Sequence, residues 1–404
     1  MKQRILLIVS FASFVILGLP DGMLGVAWPS ISDGFRQPLG NLGVLMFGFT
    51  VGYVTTNAFL GKILARSGYA TVMTLSAVCL GVGALGMILS PWWLGAIVAM
   101  ACIGTGSGLL DGGLNAYGAI FFRPRDLNWL HAFYGVGAAL GPAIMTPLVI
   151  SDIGWRGGYA VLALLSTGIV VSFLATRSSW LSRESLRTPS TGDADGAVVE
   201  DNSDETPAGV RTMVIAVASV LLFFLYTGLE VVAGQWAFSL FTIGRGIDAA
   251  RAGTWVGVYW VALTVGRIVF GWVSERVAVK TIMRAVLAGA AVGIALLFFR
   301  SIPATAPVGL AILGFSLAPM FPLLIGETPR RVGDHLADHL VGFQIAAANI
   351  GAVSLVGLVG LGVERIGLEL VPWALMASFL AFTILHELLY LAEPAEGRSP
   401  TSSR

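Results

Sequence analysis

Charge is scarce in this chain. Asp, Glu, Lys and Arg make up 12% of its 404 residues, about half the ~25% of an ordinary soluble domain. The formal net charge is only +1 and no basic stripe runs along the sequence, which argues against a nucleic-acid partner. Cysteine is equally sparse. Cys79 and Cys102 both fall inside apolar runs and read as small buried hydrophobes, not as a disulfide framework or a metal site. No Walker motif is present, so the chain is not expected to hydrolyse ATP. No nucleophile–base arrangement points to an enzyme, and no cofactor is expected. Gly104-x-Gly106-x-Gly108 lies inside an apolar run with no strand before it, so it reads as close helix packing. The pairs Asp334-His335 and Asp338-His339 lack a third cluster and read as a solvated loop, with no metal expected.

Apolar residues are what the chain has in excess: 56% of the sequence, with a mean hydropathy of +0.83. A soluble core cannot use that much apolar surface, so the solvent of most of this chain is lipid. Apolar runs occur at 5–31, 40–63, 70–90, 92–120, 129–150 and 158–176, and again at 212–241, 252–274, 281–299, 305–326, 338–361 and 369–391. Each suits the ~20 helical residues that cross ~30 Å of hydrocarbon. No ten-residue alternation suggests a barrel, so the expected fold is an all-α membrane protein of twelve transmembrane helices in two pseudo-symmetric six-helix bundles. The expected domains are 1–176 and 212–391, joined by a cytoplasmic linker at 177–211 and followed by a tail at 392–404. The linker is rich in Ser, Asp, Glu, Gly and Pro and cannot bury a core. Met1-Lys-Gln-Arg4 mimics a signal peptide, but the same pattern recurs along the chain and reads as an uncleaved first span. With the N-terminus in the cytoplasm, 17 Lys and Arg fall inside and 6 outside, with Arg267 left within a span. That asymmetry places both termini inside, in a bacterial-type plasma (inner) membrane.

An internal repeat at an offset of 210 residues supports the two halves. Val51, Gly61 and Arg66 align with Val261, Gly271 and Arg276, and Asn57 aligns with Arg267. Upstream, Gly18, Asp21, Gly25 and Trp28 are echoed in the same order by Gly228, Glu230, Gly234 and Trp236, over a shorter span. Duplicated halves are what a rocking-bundle transporter requires, with its site between them near the midplane.

Gly61-Lys-Ile-Leu-Ala-Arg66-Ser-Gly68 resembles the loop between the second and third helices of the major facilitator superfamily, whose pattern is Gly-x-Leu-Ala-Asp-Arg-x-Gly-Arg-Lys. Ala65 replaces the family's Asp, whereas the second copy keeps an acid at Glu275 beside Arg276. The resemblance therefore implies a gate at Arg66, Glu275 and Arg276 that leans on the second half. Within the superfamily the chain is similar to the fucose permease-like and sodium-dependent glucose transporter-like sugar symporters. Four stretches carry that likeness: 18–29, 109–118, 226–236 and 315–331.

A charge in mid-bilayer costs at least ~2.5–3.5 kcal/mol and needs a reason. Asp111, Glu230 and Asp21 stand in apolar runs and are the expected proton-coupling groups. Asp111 and Asn115 are four apart, on one helical face. That spacing resembles the acid-x-x-x-Asn of fucose permease-like proteins, which implies a proton-coupling acid. Tyr226, Glu230, Gln235 and Trp236, echoed by Trp28, supply the amide, phenol and flat indole that a sugar needs. Gln344 and Asn349 are further substrate candidates, one of them expected to be packing glue. His131 reads as an interfacial histidine or a proton relay, and Arg267 as a residue that snorkels to the cytoplasm or pairs with an acid as a gate. The expected function is symport of a neutral sugar or polyol with a cation, a proton before sodium, by a monomer in contact with membrane lipid. Antiport export of drug-like compounds or metabolites is the alternative, and a non-transporting membrane sensor the alternative of another class.

Overall fold

The computed structural model describes residues 2–180 and 210–392. Most of the linker and nearly all of the tail therefore lie outside the described residues. Twelve α-helices carry the fold: α1 (Lys2–Gly34), α2 (Leu42–Leu89), α3 (Trp93–Phe121), α4 (Pro124–Val149), α5 (Trp155–Ala175), α6 (Val210–Ser239), α7 (Ala249–Val273), α8 (Val279–Leu297), α9 (Thr305–Leu317), α10 (Met320–Val332), α11 (Asp334–Ile366) and α12 (Leu370–Ala392).

Helices and membrane crossings are not in one-to-one correspondence. Among the described residues eleven stretches are long and apolar enough to span a membrane, and α2 accounts for the difference from twelve. Its 48 residues contain Gly68 at φ 71° and ψ 163°, a conformation closed to a helix and open to glycine. The chain doubles back there. Gly52 presses on Ala101 of α3 and Gly83 on Ala99 and Ile103, so positions 31 residues apart lie at one level of the same neighbour. A straight helix would set them ~47 Å apart. The second adjustment is at Pro319, which lacks an amide hydrogen and separates α9 from α10 within a single crossing. Two groups of six crossings result, α1–α5 and α6–α12, as the resemblance implied.

All Lys and Arg of the inward set that lie among the described residues fall at one end, here the basic end, with both described termini. The halves meet at the other, far end. A Cβ on Gly43 would come within 2.4 Å of the Gly357 Cα, and one on Gly360 within 2.5 Å of the Gly40 carbonyl. On the opposite flank a Cβ on Gly253 would meet the Thr146 hydroxyl at 2.0 Å. The Gly40 amide donates to Glu364 Oε1 at 3.0 Å. At the basic end Gly61, Gly271, Gly326 and Gly342 have open space around them. The molecule is closed at the far end and open at the basic end.

Candidate functional site

Polar side chains from five apolar crossings converge where the two halves face each other. Asp21, Tyr53, Asn57, Asp111, Asn115, Tyr134 and Arg267 are all partly exposed, and His131 is exposed, although each belongs to a hydrophobic helix. They line the opening toward the basic end.

Asp111 lies ten residues from the end of α3, ~15 Å deep. Tyr53 Oη donates to its Oδ2 at 2.5 Å, and Asn115 Nδ2 donates to Oδ1 at 2.9 Å. The second contact is the predicted four-residue pair. Asn57 anchors its amide on the Tyr53 carbonyl at 3.1 Å. His131 of α4 is near enough to Asp111 for the two to interact electrostatically. Asp21 of α1 accepts from the Tyr134 hydroxyl of α4. Its backbone carbonyl accepts from Gln235 Nε2 at 2.9 Å, a hydrogen bond that crosses from one half to the other.

Glu230 is different because it has a cation. Arg267 Nη2 lies 3.3 Å from its Oε1, Tyr226 donates to its Oε2, and Tyr259 donates to its backbone carbonyl at 2.8 Å. Of the two readings open to Arg267 from sequence, snorkelling or pairing with an acid, the contacts show the pairing. Cα–Cβ bonds tilt toward a helix's N-terminus, and the N-terminus of α7 is at the far end. The long side chain therefore leans inward, away from the nearer surface, and reaches Glu230.

Several predicted substrate residues turn inward for packing. Trp28 is wholly buried and donates Nε1 to the Leu39 carbonyl at 2.9 Å. Trp236 is wholly buried and donates to Val356 at 3.3 Å. Gln344, also wholly buried, pairs with Thr328 at 3.0 Å and joins α10 to α11, the packing role expected for one of the two amides on this helix. Asn349 is half-exposed, with its amide on the Ile345 carbonyl at 2.9 Å. Gln235 keeps a different character. It is 2% exposed, and its Oε1 has no partner among the described residues. Trp260 shares that feature: its ring packs against Gly234, next to Gln235, and its Nε1 is buried without a partner. Tyr53, Tyr134, Tyr259 and Trp260 were not singled out in the sequence, because an aromatic residue in an apolar run looks like core.

The gate candidates stand apart at the basic end. Arg66 is exposed. Arg276 stacks on Trp272 with 3.9 Å from guanidinium to ring centre and lies 3.9 Å from its exposed neighbour Glu275. A separate apolar cavity of about 890 Å³ opens between α4, α7 and α9. It is lined by such residues as Pro142, Gly257 and Phe315, and none of the acids reaches it.

Comparison with known proteins agrees with this architecture. The chain is 24% identical to the Saccharomyces cerevisiae protein named bypass of stop codon protein 6, over 93% of this chain and 81% of that one. It is 19% identical to the glucose/mannose transporter GlcP of Bacillus subtilis, over 87% and 86%. Among solved structures, a D-xylose-proton symporter superposes with a TM-score of 0.79 at 14% identity, covering 99% of this chain and all of the other. Residues 10–353 match the family model of the Major Facilitator Superfamily. With twelve membrane crossings in two halves around a polar midplane, this chain belongs to that superfamily of transporters and is not an enzyme.

Proposed function

We propose that the protein is a proton-coupled symporter of a neutral sugar or polyol. The observation that carries this reading is the environment of Asp111. It is a midplane carboxyl clasped by neutral donors, Tyr53 and Asn115, and it is partly exposed. Without a guanidinium partner, such a carboxyl is neutralised most directly by a proton, and alternating access exposes it to each side in turn. Glu230, already neutralised by Arg267, holds the second half of the site in shape. Gln235 and Trp260 provide an orphaned acceptor, an orphaned donor and a flat ring, the groups that bind hydroxyls and the C–H face of a sugar. The names of the glucose/mannose transporter and the xylose-proton symporter agree with that substrate class. The basic end is taken as cytoplasmic, which places both termini inside and describes an inward-open state.

The decisive experiment is the Asp111→Asn protein in liposomes. Asparagine keeps the size and hydrogen bonding of the protonated acid and cannot release a proton. Gradient-driven accumulation is expected to vanish, exchange of labelled for unlabelled substrate to survive, and substrate binding to lose its pH dependence. Accumulation at the wild-type level would sink the reading. Antiport export of drug-like solutes is favoured by one observation, the 890 Å³ apolar cavity beside the site. Saturable outward movement of an apolar cation against a proton gradient would select it.

A further inference from the structure

A second site lies at the basic end, away from the acids. The chain ends of α1, α3 and α4 frame a cleft of about 370 Å³ lined by Gln3, Arg4, Leu7, Arg123, Arg125 and Asp126. Gln3 Nε2 reaches the last turn of α3 at the Phe121 carbonyl, 3.4 Å away, and closes one wall. Three guanidiniums outnumber the single carboxylate. None of the three has an ion pair among the described residues, not even with Asp126. Two other arginines at this end are paired, Arg284 with Glu387 at 3.3 Å and Arg330 with Glu327 at 3.1 Å.

The surroundings name the missing anion. On the midplane side of the cleft the surface becomes apolar, with Ile5 and Ile8 of α1 at 44% and 65% exposure. Trp129 of α4 is 47% exposed, one turn beyond Arg125. An exposed indole beside arginines marks the depth of lipid headgroups. We propose that this cleft binds the phosphate of an anionic phospholipid of the leaflet at the basic end. The guanidiniums clasp the phosphate oxygens and the acyl chains run along Ile8 and Trp129. A zwitterionic lipid brings its own cation into a cleft already rich in positive charge and binds less well. The lipid bridges the ends of α1 and α4, the two helices joined at mid-depth by Tyr134 and Asp21. It therefore steadies one side of the site without entering it.

Native mass spectrometry of the full chain tests this, with phosphatidylglycerol or phosphatidylcholine added in detergent. Retention of phosphatidylglycerol over phosphatidylcholine is expected for the wild type. It falls by roughly fivefold for each arginine removed, the scale of one basic contact at a lipid surface, in the series Arg123→Gln, then Arg4→Gln and Arg125→Gln added. Arg123→Gln alone changes an exposed side chain and keeps the proposal testable if the triple variant fails to fold. The control Arg284→Gln/Arg330→Gln retains the lipid. Equal loss in both sets, or no preference for the anionic lipid, overturns the proposal. Displacement of the lipid by excess inorganic phosphate makes a soluble anion the occupant and also overturns it. So does phosphatidylglycerol binding that arises only when Glu200, Asp201, Asp204 and Glu205 are neutralised, because the linker would then be the occupant.

Discussion

Trp236 and Gln235 are neighbours in sequence and point about 100° apart on α6, which separates their roles. Trp236 faces α11 and is sealed by the Val356 carbonyl, whereas Gln235 faces α1 and the Asp21 carbonyl. Sequence spacing alone places both on a sugar surface, because an indole beside an amide looks the same whichever way each one turns. Trp260, whose Nε1 has no partner among the described residues, takes the aromatic role in the proposed site. Trp236→Ala is expected to cost about 3 kcal/mol of stability, the scale of a core tryptophan truncation, with substrate affinity unchanged in the folded fraction. Trp260→Phe is expected to keep the fold and weaken substrate binding by about 1 kcal/mol, one lost hydrogen bond. Thermal denaturation with isothermal titration separates the two, and a reversed pattern would return Trp236 to the site. The acids were legible because a charge in an apolar run is conspicuous. Their phenol partners were not, since Tyr53 and Asp111 are 58 residues apart and Tyr134 and Asp21 are 113 apart.

Helix ends at the far side carry the clearest electrostatics. Glu369, in the turn between α11 and α12, accepts from Arg245 at 2.8 Å and lies 3.0 Å from Arg300. Burial alone would raise this carboxyl, but the hydrogen bond and charge of Arg245, with the charge of Arg300, more than offset it, so it titrates below the usual range. A carboxyl held low in the folded state contributes stability above its unfolded pKa of ~4.3 and loses it as pH falls through the lower folded value. Glu369→Gln is therefore expected to lower the melting temperature at pH 7 and to narrow its difference from wild type below about pH 4. A constant difference across that range would show that the turn is held by packing alone. The crossings themselves were legible to within about six residues at their ends, since lipid permits one solution for an apolar run. The turn at Gly68 falls between the runs at 40–63 and 70–90, but the runs did not show that Pro319 divides one crossing into α9 and α10.

At the scale of the whole molecule, the repeat announced two halves but not which end was shut. Orientation rests on the basic residues, and it is checked by a cysteine at Ser190 in the linker, outside the described residues. An impermeant reagent is expected to label it only after cell lysis, and labelling in intact cells would invert the assignment. Closure rests on Gly43 against Gly357 and Gly40 against Gly360. Gly43→Val is expected to pry the halves apart and expose a cysteine placed at Thr146, on the opposite flank of the same seam. Its labelling rate should rise by at least about tenfold, the factor that ~1.4 kcal/mol gives, while Gly61→Val, in open space, leaves it unchanged. An unaltered rate would mean that the two flanks do not move as one body. The composition of this seam has a further consequence. Backbone laid against backbone carries no net charge, so salt screens little of this seam beyond the Glu364 carboxylate that the Gly40 amide holds. A closed end held this way is expected to answer to the fit of the two halves more than to ionic strength.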